Sequence, residues 1–244
     1  MKRIITVLAA MLAAFGTASA ANVPDSLQLA SGKRVETTVR VVLPVYFGVS
    51  TLLDADYLGS WANTGYGDFL GTRIEQNFNF DIEFFGLRFD AKSTPFEANL
   101  GLRFSFMDFS LSDTSITFSG NDSPSSIGCM PVRISDTDLS FDGAKSKIHA
   151  SYLGAPVRFA MKYGAHGKIF VGVAPELLIH GYTKYRYPAH RSEAGTLFNP
   201  LRVSVEGGIC YYGFGLWARY GLTPLFLPGC SNAKTLSFGL TVGI

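Results

Sequence analysis

The sequence predicts an all-β protein, an eight-stranded antiparallel up-and-down transmembrane β-barrel. Its strand-like segments are joined by connections that alternate between short and long, as in membrane barrels with short periplasmic turns and long extracellular loops. Apolar and polar residues alternate along several segments with a period of two, which gives each strand one apolar and one polar face. The chain is 47% hydrophobic and only 16% charged, whereas about a quarter of the residues are charged in soluble domains.

The first twenty residues have the composition of a secretory signal peptide. Lys2 and Arg3 precede an apolar run over residues 4–15, and Ala18-Ser19-Ala20 follows it. A positive start, an apolar stretch and an A-x-A site are the three parts of such a signal, and the run is shorter than the roughly 20 residues of a spanning helix. We predict a cleaved signal peptide over 1–20, a flexible N-terminal segment over 21–37 and an outer-membrane β-barrel domain over 38–244.

The exported chain is expected to be electrically neutral. Removal of the signal takes away two of the 21 basic residues and leaves 19 against 19 acidic residues. Neutrality gives no reason to expect a nucleic-acid partner. The sequence shows no zinc-ligand spacing, phosphate loop or dinucleotide fingerprint, so no metal or cofactor is expected.

Eight segments are predicted as strands, each long enough to cross a bilayer at a tilt, which takes about 9–11 residues. The third is the most regular, with apolar residues from Phe96 to Phe106 at every second position. A water-soluble sandwich would share this alternation, but it predicts evenly spaced turns and a more charged surface. The predicted strands are 38–52, 75–89, 95–108, 147–163, 168–182, 200–211, 214–224 and 234–244.

Two hairpins have a predicted register. A two-residue turn at Tyr212-Gly213 sets Glu206 opposite Arg219, and such complementary facing pairs are typical of a correct register. In the preceding hairpin we predict a three-residue loop, Ala165-His166-Gly167, with Gly167 in the left-handed position of a G1 bulge.

Three prolines, Pro44, Pro156 and Pro175, lie inside predicted strands. Because proline cannot donate a hydrogen bond to the ladder, each is predicted to mark a bulge or a local break.

Chain entry from the periplasm places the short turns on the periplasmic side and the long loops outside. The longest loop is predicted to carry a protruding hairpin around 115–118 and 132–141. Cys129 and Cys230 both fall on outer loops and are a possible disulfide, with three unpaired thiols as the alternative. Cys210 lies near the opposite rim. The predicted outer loops are about 53–74, 109–146, 183–199 and 225–233.

Aromatic residues cluster at the strand ends, as the girdles at membrane interfaces do. The predicted periplasmic girdle holds Phe89, Phe96, Tyr163, Tyr211 and Phe214, and the outer half holds Phe78, Phe106 and Tyr220.

Charged residues on the inward faces are predicted to form an ion-pair network. Side chains just fill the interior of an eight-stranded barrel, and isolated charges there would be costly. Glu176 is predicted to lie diagonal to Arg158, within ion-pair distance. A charge-paired interior is therefore favoured over a narrow ion path. The predicted network is Arg40, Asp81, Glu83, Arg103, Arg158, Glu176, Arg202, Glu206 and Arg219.

Four segments are similar to those of a known group of barrels. They are Tyr152-Leu153-Gly154-Ala155-Pro156, Val173-Ala174-Pro175-Glu176, Val205-Glu206-Gly207-Gly208 and the closing strand to Ile244. On these segments the chain resembles the small outer-membrane β-barrel proteins typified by OmpX, the membrane domain of OmpA and the PorT-type family. The resemblance covers nearly all of the exported chain. It implies insertion in the bacterial outer membrane and no agreed activity.

The favoured function is that of a non-enzymatic barrel, an envelope scaffold, surface-interaction or secretion-accessory protein. Its expected partners are outer-membrane lipid and lipopolysaccharide, the barrel-insertion machinery during assembly, and a protein bound by the outer loops. A small porin that passes ions or small solutes is the alternative. The loop residues that would anchor a protein partner, unless they simply pack on the rim, are Trp61, Tyr66, Tyr185 and Tyr187.

The second alternative is a lipid-modifying enzyme, because some eight-stranded barrels acylate or deacylate lipid A. His149 and Ser151 are two residues apart on the predicted fourth strand, so they share a face on the lipid side. A base beside a hydroxyl makes a nucleophile when a carboxylate orients the base. The nearest candidates along the sequence, Glu176 and Asp142, show no alignment with this pair, so no catalytic residue is predicted.

Overall fold

The computed structural model describes residues 23–25, 37–91, 94–118, 130–133, 145–185, 190–193 and 197–244, without the side chains of 23–25, 37–41, 91 and 190–193. The predicted signal peptide lies outside these residues. Two short helical segments occur, α1 (Gly59–Ala62) and a 3-10 turn (Ile74–Gln76), and no helix in the described ranges is long and apolar enough to span a membrane. The strands are β1 (Val23–Asp25), β2 (Thr37–Val41), β3 (Val45–Leu53), β4 (Phe78–Ala91), β5 (Phe96–Ser110), β6 (Ile116–Phe118), β7 (Pro131–Arg133), β8 (Ser146–Gly154), β9 (Val157–Tyr163), β10 (Gly167–Tyr185), β11 (His190–Glu193), β12 (Leu201–Tyr211), β13 (Phe214–Gly221) and β14 (Lys234–Val242).

The strands close into an eight-stranded antiparallel barrel, which confirms the predicted fold class. β2 with β3 forms the first barrel strand, and β8 with β9 forms the fourth. The pairing runs from β3 through β4, β5, β8 and β9, β10, β12, β13 and β14. β14 then pairs with β3, from Lys234 opposite Leu53 to Val242 opposite Val45. Closure leaves the barrel wall without a free edge.

Two of the three prolines mark breaks, as predicted. The first barrel strand is interrupted between β2 and β3 at Pro44, and the fourth between β8 and β9 at Pro156. Pro175 does not mark a break, because β10 continues through it in register with β12. All three contribute only a carbonyl: Pro44 accepts from Glu83, Pro156 from Gly101 and Pro175 from Ala155. Pro175 lies beside the interruption between β8 and β9. On that side its missing N–H therefore needs no partner in the neighbouring strand.

Part of the predicted flexible segment is a strand. β1 pairs antiparallel with β2, from Val23 opposite Val39 to Asp25 opposite Thr37. β14 pairs with β3 and ends at Val242 opposite Val45. The preceding segment β2 therefore extends beyond the end of β14 and has no partner in that strand. β1 supplies the backbone partners that this short edge would otherwise lack.

One hairpin has the predicted register and the other is shifted. Glu206 faces Arg219, and Tyr211 faces Phe214 across the Tyr212-Gly213 turn; both turn residues have positive φ, +53° and +80°, as a type I′ turn requires. In the other hairpin the predicted loop is wrong by one residue. Tyr163 pairs with Gly167, so the loop is 164–166, and the left-handed glycine is Gly164 at φ +59°.

The outer face of the barrel is apolar and exposed, and the inner face is polar and buried. On β5, Phe96, Leu100 and Phe104 point outward while Glu97, Asn99 and Arg103 are buried. The strand ends joined by short turns, here called the turn end, carry exposed aromatic side chains. These are Phe96, Tyr163, Tyr211, Tyr212 and Phe214.

The opposite end, here called the loop end, is covered by a compact hydrophobic cluster. The β6–β7 hairpin lies within the predicted loop hairpin, and its residues Ile116 and Phe118 are fully buried. Trp61 contacts Phe69, Phe118 and Phe226 with ring centroids 5.3–5.5 Å apart. We call this cluster the loop core: Trp61, Phe69, Leu70, Phe109, Leu111, Ile116, Phe118, Leu197, Phe198, Leu225, Phe226 and Cys230.

Candidate functional site

The centre of the barrel holds a network of buried ion pairs. Glu206 lies among three arginines. Arg103 Nη1 donates to its Oε2 at 2.7 Å, Arg219 Nε donates to the same oxygen at 3.1 Å, and Arg158 Nε donates to its Oε1 at 2.5 Å. These residues come from four barrel strands, so the network spans the lumen from wall to wall.

Glu176 is the second centre of the network. Arg202 donates to its Oε2 through Nε and Nη2, at 3.0 and 2.6 Å, and Arg103 Nη2 donates to its Oε1 at 3.1 Å. Two further acids complete the charge balance. Arg158 pairs with Glu83 at 2.7 Å, and Arg219 donates to Asp81 at 2.5 Å.

Aromatic rings border this network above and below. Towards the loop end, the Arg202 guanidinium lies 4.6 Å from the ring centre of Tyr152. Towards the turn end, Arg158 lies 5.3 Å from the ring of Tyr46, and Arg219 lies 5.0 Å from that of Trp217. Cation–π contacts and paired carboxylates together offset the desolvation of four buried guanidinium groups.

The structure therefore brings together eight of the nine residues of the predicted network. Arg40 is on β2, and its side chain is not among those described. The predicted diagonal ion pair between Glu176 and Arg158 is not found. The shifted hairpin sets Arg158 opposite Gly172 and Glu176 opposite Gly154. Arg158 instead reaches Glu83 and Glu206.

A second charged cluster near the turn end was missed by sequence reasoning. Lys168 lies 2.9 Å from Glu97, Arg88 lies 3.6 Å from Glu97, and Lys162 lies 2.5 Å from Asp90. Arg88 and Asp90 point inward because a bulge leaves Phe84 without a partner between Glu83 and Phe85, which exchanges the two faces of β4. The adjacent pair Phe84-Phe85, which breaks the alternation, was the available signal.

The structure does not test the predicted disulfide between Cys129 and Cys230. Cys230 has no bridge to another described residue and is buried in the loop core, and burial raises the pKa of its thiol. Cys129 lies outside the described residues, so its pairing with Cys230 stays a prediction. Cys210 is a free and buried cysteine on β12.

Two of the four predicted loop anchors are not available for a partner. Trp61 and Tyr185 are buried, and the Tyr185 hydroxyl donates to the carbonyl of Thr114 at 2.9 Å. Tyr66 packs on the loop core, with Arg133 over its ring at 5.0 Å. Tyr187 lies outside the described residues. The described parts of the long loops fold over the barrel because burial of their aromatic side chains removes apolar surface from water.

A second site lies on the outer face near the loop end. His149 Nδ1 is 2.5 Å from Asp108 Oδ1, and His149 Nε2 is 2.8 Å from Ser151 Oγ. With the Nδ1 proton shared with the carboxylate, Nε2 is free to accept from the serine hydroxyl. Carboxylate, imidazole and hydroxyl thus stand in the order of a Ser-His-Asp triad.

The strand pairing builds this arrangement. Asp108 on β5 faces His149 on β8, and Tyr182 on β10 faces His149 from the other side, with ring centroids 4.6 Å apart. His180 faces Ser151. The sequence identified His149 and Ser151 but not the carboxylate beside them. Of the two carboxylates considered from the sequence, Glu176 points inward among arginines, and Asp142 lies outside the described residues. Asp108 is 41 positions before His149, and only the register between β5 and β8 reveals it.

Within the described residues, no cluster of His, Cys, Asp and Glu has the geometry to hold a metal ion.

No protein-family model and no curated protein matches the chain. Among solved structures, Ail, the attachment invasion locus protein of Yersinia pestis, aligns with 83% of this chain and 95% of its own at 11% identity and a TM-score of 0.35. That score is too low to establish a shared fold, so the barrel assignment rests on the strand pairing of this chain alone. The resemblance to PorT-type barrels stays a prediction.

Proposed function

We propose that the protein is an integral outer-membrane barrel with a sealed interior, which acts through its surfaces and not as a channel. The observation that carries this proposal is the inverted distribution of polarity. Side chains that face outward, such as Leu177, Val173 and Phe159, are exposed and apolar, whereas Asp81 and Arg219 are buried inside. A water-soluble barrel would need the opposite arrangement, because exposed apolar surface of this extent is unfavourable in water.

Two features support a sealed interior. The ion-pair network joins opposite walls, for instance through Arg103 and Glu206, and its eight side chains occupy the lumen that eight strands enclose. The loop core then covers the loop end with buried aromatic rings. An ion would have to displace both. Displacing the network leaves buried charges without partners, and displacing the loop core exposes buried apolar side chains to water.

The turn end is expected in the periplasm and the loop end outside the cell. This orientation follows from entry of the chain through the periplasm and from the tight turns at 164–166 and 212–213, which are typical of the periplasmic side. The loop end then offers a surface for contact with a scaffold, secretion or host partner. The exposed aromatic residues of the turn end suit the headgroup level of the inner leaflet.

A pair of matched substitutions tests the membrane placement. Val173 on the outer wall and Val132 on the β6–β7 hairpin are exposed to similar extents, 45% and 41%. In a bilayer, Val173→Arg is expected to lower the free energy of unfolding by about 2–4 kcal/mol near the midplane, whereas Val132→Arg in water should change it by less than about 0.5 kcal/mol.

The measurement is urea unfolding of the protein refolded into lipid vesicles. If both arginine variants are as stable as the unchanged protein, or if the folded chain stays monomeric in buffer without detergent, the barrel does not lie in a membrane and the proposal fails.

A further inference from the structure

We propose that the outer face of the barrel carries a serine-esterase site, with Ser151 as nucleophile, His149 as general base and Asp108 as the residue that positions His149. Its substrate is the ester bond of an acylated lipid in the leaflet at the loop end. This inference rests on the membrane insertion proposed above, and its experiment has a separate readout for insertion.

The geometry meets the requirements of nucleophilic catalysis. The 2.8 Å contact between Nε2 and Oγ is within the range for transfer of the hydroxyl proton to the imidazole. The contact between Nδ1 and Asp108 fixes the tautomer and the ring plane, and the carboxylate stabilises the imidazolium once it forms. Tyr182 stacks on the imidazole ring, which holds the ring between two neighbouring strands.

The three groups lie on the outward face of the barrel, at the border between its apolar band and the loop end. The next outward side chains on β5 towards the turn end are Phe104 and Phe106. The hydroxyl, the imidazole and the carboxylate therefore face the leaflet at the loop end and not the lumen.

The height of the site matches the level of lipid ester bonds. A strand residue advances about 3.3 Å, or about 2.3 Å along the membrane normal at a tilt near 45°. Asp108 is twelve residues beyond Phe96 of the turn-end girdle, which places it about 28 Å away, just past an apolar band about 25 Å tall. Phe78 and Phe106, stacked through Phe80, form the aromatic level directly beside it.

The carboxylate and the imidazole of the site are partly exposed on the outer face, and the serine is buried. The side chains of Asp108 and His149 are 34% and 16% exposed, and Ser151 is 5% exposed between its cross-strand neighbours Phe106 and His180. β10 carries a bulge beside this serine, where the register shifts between Leu178 and His180. A bulge leaves one residue outside the ladder, and here that residue is Ile179.

The reaction is ester hydrolysis in two steps. Ser151 Oγ bonds to the ester carbonyl carbon while its proton passes to His149 Nε2; the ester C–O bond then breaks, and the alcohol part of the lipid leaves with that proton. Water next adds to the acyl-serine and gives a proton to His149. Cleavage of the serine ester returns the proton to Oγ and releases the fatty acid, so that ester and water yield acid and alcohol.

The experiment uses the exported chain refolded in mixed micelles with two lipids supplied separately. One is a diacyl glycerophospholipid, and the other is an acylated glucosamine glycolipid with ester-linked chains. Released fatty acid is measured by mass spectrometry. We expect release from one of the two, which identifies the lipid class. Ser151→Ala should reduce the rate by at least about 1,000-fold, and Ser112→Ala, at an exposed serine near the same end, should not change it.

The positioning role of Asp108 is tested separately. Asp108→Asn should lower kcat by about 1,000- to 10,000-fold with little change in KM, and Asp108→Glu should restore part of the rate. A lipophilic fluorophosphonate provides a readout that needs no lipid substrate. It should label Ser151 in the unchanged protein and leave the Ser151→Ala variant unlabelled.

Folding and insertion are checked for every variant by urea unfolding in vesicles, so loss of structure is not mistaken for loss of chemistry. A folded, inserted protein that releases no fatty acid from either lipid would overturn the proposal. Release that continues unchanged in Ser151→Ala would do the same, because the hydrolysis would then belong to another protein or another residue.

Discussion

Arg103 on β5 and Glu206 on β12 meet across the lumen, with Nη1 of the arginine 2.7 Å from Oε2 of the glutamate. Their strands are not neighbours in the barrel wall, so the contact exists only because the sheet closes on itself. Glu206 also bonds to Arg158 and Arg219. One carboxylate thereby ties together strands from opposite sides of the barrel, and the stability and closure of the lumen both depend on it.

Glu206→Gln should destabilise the barrel severely. The substitution keeps the shape but leaves Arg103, Arg158 and Arg219 facing a neutral group. Removing one partner of a buried ion pair costs about 3–5 kcal/mol, and Glu206 serves three. Urea unfolding in vesicles measures the loss.

The matched control is Glu75→Gln, the same chemical change at an exposed residue of the 3-10 turn. Its effect should stay within about 0.5 kcal/mol. Equal stability of the two variants would contradict a cohesive role for the network.

The unchanged protein should be silent in a planar lipid bilayer. The charged network fills the lumen and the loop core covers its end, so a hydrated ion finds no continuous water path. The measurement is single-channel recording on protein whose folded state is verified beforehand. Stepwise currents from the unchanged protein would favour the porin alternative over a sealed barrel.

Gly48→Ala should reduce stability because two strands approach closely at this position. Gly48 faces Gly239, and a Cβ at Gly48 would overlap the carbonyl of Phe238. The indole of Trp217 crosses this gap and donates to the carbonyl of Leu240 at 2.9 Å. Such overpacking costs about 1–3 kcal/mol.

Gly71→Ala is the control for this substitution, since its added Cβ would meet only ordinary contacts at 3.7 Å or more. Both variants are compared by urea unfolding. A Gly48→Ala protein as stable as the Gly71→Ala protein would mean that β3 and β14 lie further apart than found.

Cys230 should resist alkylation in the folded protein. Its thiol is buried in the loop core, and burial raises its pKa. Because the thiolate is the reactive form, a raised pKa delays reaction to higher pH. A maleimide at pH 8 should therefore modify Cys230 only after unfolding, as read from the mass of the Cys230 peptide.

A cysteine introduced by Ser112→Cys, at an exposed position near the same end, should react at once in the folded state. Rapid modification of Cys230 under these conditions would show that the loop core opens readily. Omitting reductant in a parallel sample tests the predicted bridge to Cys129, since a bridged Cys230 would also remain unmodified after unfolding.

The two faces of each strand were predictable from the sequence because the alternation of side chains is a local property of extended backbone. It placed Arg103 and Glu176 inside and Phe96 outside, and it correctly paired Glu206 with Arg219 across the Tyr212-Gly213 turn. Where the local geometry departs from this period, the same reasoning failed. The bulge at Phe84 turned Arg88 and Asp90 inward, and Gly164 took the left-handed conformation expected of Gly167.

Contacts between distant strands were decided only by the tertiary structure. The sequence supplied His149 and Ser151 but not Asp108, because the register between β5 and β8 depends on how the whole barrel closes. It supplied the inward charges but not their partners, since Arg158 reaches Glu206 across the lumen and not Glu176 nearby. The period of a strand is set by its own covalent geometry, whereas the meeting of two side chains is set by the tilt, stagger and bulges of all eight strands together.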